Sequence, residues 1–207
     1  MPNSRRSPFR LLETVSVVGA ETHNGVGAAV DRVLLRAFGE DDLRFLDRLC
    51  TDPDALGLFA WPGFIDVRTR RRRWEKDGYI GVESTALAVV LPDGTVAGIT
   101  SWQPRNRGGS PGVCYEIGLA LLPDHRGRGL GTAAQRLLVD HLFRYTTAHR
   151  LEALTNTRNI AEQKALERLG FRREGVLRGI VFGNGAWQDN VIYSLLRDEA
   201  PGYNPSG

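Results

Sequence analysis

Hydrophobic residues follow two alternating patterns along the chain from about residue 30 onward. Segments in which apolar positions return at helical spacing predict helices over 40–50, 66–79, 129–147 and 159–170. Short apolar runs between them predict strands over 31–38, 85–91, 95–102, 113–122, 150–157, 171–182 and 187–196. The segment 51–64 is broken by prolines and glycines, which predicts a loop that holds one short helix.

Turn and capping residues indicate how these elements are joined. Pro92-Asp93-Gly94 and Gly183-Asn184-Gly185 each separate two strands, so both pairs are expected to form antiparallel hairpins. Asn159 is suited to cap the start of the last helix. The order predicts a single mixed α/β domain, whose mostly antiparallel sheet is flanked by about four helices. We place this domain at 29–199, an N-terminal extension with one strand (11–18) at 1–28, and a tail at 200–207.

The helix over 129–147 has the most regular apolar pattern. Its hydrophobic residues recur at helical spacing and are expected to pack as one face against the sheet. These residues are Ala133, Leu137, Leu138, His141, Leu142 and Tyr145.

The composition is typical of a soluble globular protein, with 42% hydrophobic and 25% charged residues among 207. No apolar stretch approaches the ~20 residues of a membrane span, and no signal peptide is recognisable, so a cytoplasmic location without membrane contact is expected. Cys50 and Cys114 have neither a disulfide framework nor zinc-ligand spacing. We therefore predict no metal site.

Positive charge is carried almost wholly by arginine, because Lys76 and Lys164 are the only lysines. The net charge of +3 is too small to demand a nucleic-acid partner, and the chain lacks the aromatic interleaving used for base stacking. Arg68 and Arg70–Arg73 concentrate charge on one predicted helix. This run is either a solvated surface or a docking site for an acidic protein partner.

A glycine-rich turn lies between the strand at 113–122 and the helix that follows. Glycines let the backbone approach a ligand closely, and the helix N-terminus offers unpaired N–H groups, which together favour phosphate. A Walker A lysine is absent because Thr132 follows the last glycine, and the spacing differs from the dinucleotide fingerprint. The remaining pattern is R-x-x-G-x-G, with Arg126, Gly129 and Gly131 in its fixed places.

This pattern resembles the pyrophosphate loop of the GNAT superfamily of N-acetyltransferases. Further motifs occur in the order typical of its RimJ/RimL-type branch, and the resemblance extends from about 31 to 197. They are Glu116-Ile117-Gly118 before the loop, Asn159 at the next helix, then Leu166–Phe171 and Glu174-Gly175.

The resemblance implies acetyl-CoA as co-substrate and assigns residues to it. The pantetheine arm is expected along the strand backbone of Leu119, Ala120 and Leu121. Arg126 and Arg128 either add charge for the anionic cofactor or belong to a solvated turn, and Asn159 either reaches the pantetheine or only caps its helix. The pyrophosphate is expected on the backbone amides of Gly127, Arg128, Gly129, Leu130, Gly131 and Thr132.

Acetyl transfer to an amine requires a proton acceptor, and a carboxylate near the thioester supplies one. Glu116 is our candidate base, with an arginine-paired structural carboxylate as the alternative. The two usual positions of the family's general acid hold Leu166 and Glu162. Glu162, Tyr193 or water then donates the proton, or the thiolate leaves unaided. Because Glu162 lies near a helix N-terminus, its pKa is expected to be lowered, which makes it a poor acid.

The sequence says least about the acceptor. By resemblance, Trp61, Phe64 and Trp187 line its site, although each is also suited to core packing. We expect an N-acetyltransferase that acts on a primary amine, a small molecule before a protein N-terminus. The alternatives are a ribosomal-protein-type N-terminal acetyltransferase, an acyltransferase with a carrier-protein donor, and a non-catalytic acyl-CoA-binding module. The sequence leaves open whether the protein forms a homodimer.

Overall fold

A seven-stranded sheet forms the centre of the chain in the computed structural model, which describes residues 33–57, 59–108 and 114–201. Five α-helices accompany it within these ranges: α1 Leu43–Thr51, α2 Pro53–Leu56, α3 Val67–Asp77, α4 Leu130–Tyr145 and α5 Ile160–Arg168. The strands are β1 Leu34–Arg36, β2 Thr85–Val90, β3 Val96–Pro104, β4 Cys114–Leu121, β5 Arg150–Asn156, β6 Arg172–Gly183 and β7 Ala186–Leu196.

The strands lie in the order β1-β2-β3-β4-β5-β7-β6. The β4–β5 pair is parallel, whereas every other neighbouring pair in the described sheet is antiparallel. A parallel pair requires a crossover connection, which α4 supplies between β4 and β5. The predicted mixed, mostly antiparallel sheet is therefore confirmed.

Hydrophobic side chains form a separate core on each face of the sheet. One core joins α4 and α5 to β4, β5 and β7, and includes Leu138, Leu166 and Leu195. The other joins α1 to α3 with the opposite face of β2, and includes Leu46 and Ala88. The alternation of side chains along β2 divides it between the two cores, since Leu87 and Val89 face α4 while Ala86 and Ala88 face α1.

The four predicted helices and all seven predicted strands between 31 and 196 are present, and α2 is the short helix expected within 51–64. The residues assigned to the extension at 1–28, with its strand at 11–18, lie outside the described residues. Of the predicted tail, Ala200 and Pro201 are described. No helix in the described ranges is long and apolar enough to cross a membrane.

The packing face of α4 differs from the predicted one. Leu138 and Leu142 are buried as expected, but His141 is only partly buried and Tyr145 is exposed. The ring of His141 contacts those of Trp102 and Tyr145 in tilted arrangements, with centroids 5.7 and 5.2 Å away, respectively. The buried face is rotated towards Leu130, Ala134, Gln135, Leu138, Val139, Leu142 and Phe143. Ala133 and Leu137 are partly buried and pack against the core as expected, so the prediction was wrong for Tyr145.

Candidate active site

The parallel strands β4 and β5 part halfway along their length. Their pairing runs from Cys114 opposite Arg150 to Ile117 opposite Ala153 and then ends. β4 continues to Leu121 beside β3, while β5 continues to Asn156 beside β7. A gap therefore opens between the two strands at their carboxyl ends, which is where open α/β sheets commonly bind ligands.

Two residues of β4 turn their backbone groups towards this gap. The N–H of Leu122 donates to Ala97 in β3, at an N–O distance of 2.9 Å. Because successive residues of a strand point their polar groups to opposite sides, Ala120 also faces β3, whereas Leu119 and Leu121 face the gap. Of the three residues expected to bind pantetheine, the structure brings the backbone of Leu119 and Leu121 to the gap, but not that of Ala120.

The glycine-rich turn places the first turn of α4 at the end of the gap. Gly127 and Gly129 adopt φ values of 74° and 80°, which only glycine enters without strain. Gly129 is the N-cap of α4 and has no side chain to cap the helix. The N–H groups of Leu130, Gly131 and Thr132 precede the first intrahelical bond, from the N–H of Ala133 to the carbonyl of Gly129. These donors and the positive end of the helix dipole can bind an anion.

Arg126 ties this turn to α2. Its Nε donates to the carbonyl of Leu121 at 2.8 Å, and its Nη2 donates to the carbonyls of Asp54 (2.8 Å) and Ala55 (3.1 Å). These three bonds engage the guanidinium with backbone, so Arg126 positions the turn. Arg128 is exposed in the same turn.

The start of α5 lies beside the same gap, because α5 follows β5. Asn159 caps this helix, and its Oδ1 accepts from the N–H of Glu162 at 3.4 Å. Within the described chain its side-chain NH2 group makes no hydrogen bond, so donors remain for a ligand. The N-cap role and the expected contact with pantetheine are therefore compatible.

Glu162 and Gln135 connect α5 to α4. The Nε2 of Gln135 donates to Oε1 of Glu162 at 2.5 Å, and Gln135 is only 1% exposed. Burial raises the pKa of Glu162 above its ordinary value, against the smaller lowering effect of the Gln135 hydrogen bond. The expectation of a lowered pKa is wrong. A helix dipole contributes about 0.3–1 kcal/mol, whereas burial of a carboxylate can shift its pKa by roughly 3–5 units.

Glu116 lies on the opposite face of the sheet from α4. It pairs in register with Gln103, whose Nε2 donates to its Oε1 at 3.1 Å. Arg105 also donates to both carboxylate oxygens, at 2.9 and 2.8 Å. The structure thus contains the arginine pair that the sequence left as the alternative to a catalytic base. Such a pair holds the carboxylate in one orientation.

A cavity of about 240 Å³ adjoins Glu116. Its walls come from the start of β2, the end of β3 and the middle of β4, and Arg73 and Ser84 lie above it. Gly118 also lines it, at the first position of β4 beyond the pairing with β5. Gly118 is therefore the residue that the cavity lining shares with the part of β4 that no longer pairs with β5.

Tyr193 is fully buried on β7, and its hydroxyl donates to Oε1 of Glu167 at 3.0 Å. Burial, followed by the contact with Glu167, raises the pKa of the tyrosine. The hydroxyl is thus directed to α5, at a residue one turn beyond Glu162.

The three aromatic residues expected at the acceptor site do not line the cavity. Trp61 and Phe64 contact each other edge to face, with ring centroids 5.7 Å apart, and Phe64 is 80% exposed. Trp187 contacts Phe182 at the end of the last hairpin and is 68% exposed. Core packing, the alternative interpretation, is wrong for Phe64 and Trp187.

The basic run of α3 is divided between solvent and protein. Arg68, Arg71 and Arg72 are exposed, whereas Arg70 and Arg73 turn inward. Arg70 donates to the sulfur of Cys50 at 3.2 Å, and Arg73 donates to Ser84. No group of three or more potential metal ligands occurs among the residues that the structure describes.

Sequence reasoning named Arg73 only as part of the basic run, and it missed four other residues of this site: Ser101, Gln103, Arg105 and Gln135. Gln103 and Arg105 meet Glu116 only through the strand register, which local patterns do not specify. Gln135 had a signal, because it lies three and seven positions before Leu138 and Leu142, on the apolar face of the helix, where a polar residue is unusual.

The raised pKa of Glu162 predicts how stability depends on pH. The native state holds this proton more tightly than the unfolded chain, whose glutamate titrates near the ordinary value of 4.5. The contribution of this bound proton to the stability of the folded state is thus fully present below pH 4.5, and it is lost as the pH rises through the folded-state pKa. Glu162→Gln keeps an acceptor for Gln135 but cannot ionise. The free energy of unfolding of this variant, measured in urea titrations, should therefore increase relative to that of the wild type from pH 5 to pH 8. A difference that is constant with pH would contradict the assignment.

Comparisons with known proteins bear on this geometry. Residues 32–172 match the family model of the acetyltransferase (GNAT) domain. The probable N-acetyltransferase YjcK of Bacillus subtilis is 39% identical over 83 residues, which are 40% of this chain and 46% of that protein. The chain thus matches about half the length of this curated relative.

Solved structures share the fold. A spermidine N-acetyltransferase of Vibrio cholerae, in complex with CoA and spermine, superposes with a TM-score of 0.71 at 20% identity, covering 81% of this chain and 96% of that one. Mycobacterium smegmatis RimJ, in complex with CoA-disulfide, gives a TM-score of 0.68 at 24% identity, covering 83% and 85%. At these identities the likeness concerns the fold.

The family match covers more than half of the chain, and it agrees with the parted strands and the anion-binding turn. The chain belongs to the GNAT acetyltransferase family.

Proposed function

We propose that this protein is an acetyl-CoA-dependent N-acetyltransferase of the RimJ/RimL-type branch that acetylates a small primary amine. One observation carries this proposal: Gly118 lines the cavity beside Glu116 and is also the first residue of β4 beyond its pairing with β5. The cofactor and the acceptor then approach each other near Gly118. The cavity volume of about 240 Å³ suits a small molecule.

The cofactor lies along the gap in this proposal. Its pyrophosphate binds the N–H groups of the turn and the start of α4, and its pantetheine binds the backbone of Leu119 and Leu121. The side-chain NH2 of Asn159 donates to the same arm. A gap-facing N–H of β4 polarises the thioester carbonyl as oxyanion charge develops.

Two carboxylates divide the proton transfers. Glu116 accepts a proton from the amine as nitrogen attacks the thioester carbonyl. An amine with a pKa near ~10.4 costs roughly 3 kcal/mol more to deprotonate at pH 7 than one near ~8, so a positioned base matters most for the former. Arg105 and Gln103 hold Glu116 in place from one side.

Glu162 donates the proton to the leaving thiolate. Burial keeps its carboxyl protonated to higher pH than an ordinary glutamate, which suits a donor. It also occupies the family position of the acid, on the first turn of the helix beside the gap. Tyr193 is the weaker candidate because its hydroxyl already donates to Glu167.

The function is tested by measuring free thiol release from acetyl-CoA in the presence of small primary amines and of N-terminal peptides. We expect release with a small amine and none with the peptides. Release with ribosomal-protein N-termini alone would make the protein an N-terminal acetyltransferase. CoA binding without any release would make it a non-catalytic module.

The glycine turn gives a prediction for cofactor affinity. Gly129→Ala adds a methyl group where the pyrophosphate is expected, at φ 80°. Calorimetric titration with CoA should show affinity reduced at least tenfold, about 1.4 kcal/mol. Gly94→Ala is the matched control, since Gly94 has φ 87° and equally open surroundings but lies in the β2–β3 turn. It should bind CoA like the wild type. Equal losses in both variants would show that backbone strain alone is responsible.

The two carboxylates give distinct pH–rate profiles. Glu116→Gln should reduce kcat by ~10²–10⁴-fold, and the loss should shrink as pH approaches the pKa of the amine. Glu162→Gln should remove the alkaline decline of kcat, because no acid is left to ionise. Tyr193→Phe should retain that decline. If Tyr193→Phe removes it and Glu162→Gln does not, the tyrosine is the acid.

A further inference from the structure

Two side chains of opposite charge line the cavity beside the middle of β4. Among its lining residues, Arg73 carries the positive charge and Glu116 the negative charge. Arg73 comes from α3 and Glu116 from β4, so two independent elements bring the charges to a single cavity.

Arg73 is held in place by contacts that leave part of its guanidinium available. Its Nη2 donates to the carbonyl and to the hydroxyl of Ser84, both at 2.9 Å. The guanidinium lies 4.5 Å from the centre of the Tyr79 ring, and its Nε is 3.9 Å from Asp77. Within the described chain its Nη1 makes no hydrogen bond. Arg73 is therefore oriented by the protein and still has donors for a ligand.

The hydroxyl of Ser101 is a second available group. It lies on the same face as Glu116, because Ser101 pairs with Gly118 in the strand register. A side chain at position 118 would crowd this hydroxyl, since a Cβ there would come within 3.1 Å of its oxygen. In the described structure the hydroxyl makes no hydrogen bond. It is thus a polar group that a bound molecule can use.

Resting on the proposed function, we infer that the acceptor amine carries a carboxylate, which binds Arg73 while the amino group lies next to Glu116. A small amino acid matches the paired charges of the cavity. A diamine or polyamine would instead place a second cation beside Arg73, where like charges repel. A simple alkylamine has no anionic group and would leave the charge of Arg73 uncompensated by the ligand.

Matched amines test this inference in the wild type. Thiol release is measured with β-alanine, β-alanine amide, propylamine and spermidine. We expect kcat/KM for β-alanine to exceed that for each of the others by about tenfold or more, the usual size of a charge-assisted hydrogen bond. Equal turnover of propylamine or spermidine would overturn the carboxylate assignment and leave the proposed function standing. Absence of turnover with every amine would overturn both.

Variants of α3 test whether the preference for a carboxylate depends on Arg73. Arg73→Gln should raise KM for β-alanine at least about tenfold, with little change in kcat and none in the kinetics of propylamine. Arg72→Gln is the control on the same helix, because Arg72 is exposed and lies outside the cavity. Arg73→Lys retains the charge and should recover part of the affinity, and thermal unfolding checks that each variant is folded. Equal losses for β-alanine and propylamine in folded Arg73→Gln would overturn the inference.

Discussion

One parallel pair of strands, inserted in an otherwise antiparallel sheet, determines where the active site lies. β4 and β5 are bonded only from Cys114 to Ile117 on the first strand and then diverge. Divergence leaves the gap-facing backbone groups of Leu119 and Leu121 without a strand partner, although the carbonyl of Leu121 accepts from Arg126. Polar backbone groups inside a protein are normally paired, so such a gap is stable chiefly where a ligand or water completes the bonding. The helices after both strands begin at this same edge.

Two glutamates of the site show how environment separates side chains of one type. Glu116 lies on the sheet face covered by α1 to α3, where Arg105 holds both of its oxygens. Glu162 lies between α4 and α5, and its described partner is the neutral amide of Gln135. Arg105 holds one carboxylate in a fixed orientation, whereas burial raises the pKa of the other. In the proposed mechanism, the same residue type therefore serves as the acid at one position and as the base at the other.

The sequence predicted the elements and the glycine turn because both depend on local patterns. Apolar periodicity located α4, and the R-x-x-G-x-G spacing located the turn where Gly127 and Gly129 adopt positive φ. Contacts set by register or by helix packing were not predictable in this way. Glu116 meets Arg105 only because β3 and β4 pair in one register, and Glu162 meets Gln135 across 27 positions of sequence. The helix dipole at Glu162 was identified correctly, but burial outweighs it.

The hydrogen bonds of Arg126 restrict how α2 can move relative to the sheet. The family pattern suggests a charge for phosphate, yet this guanidinium bonds to the carbonyls of Leu121, Asp54 and Ala55. α2 therefore cannot swing away from the sheet without pulling on the end of β4. Arg126 thus couples the position of α2 to the end of the strand on which the proposed pantetheine site lies.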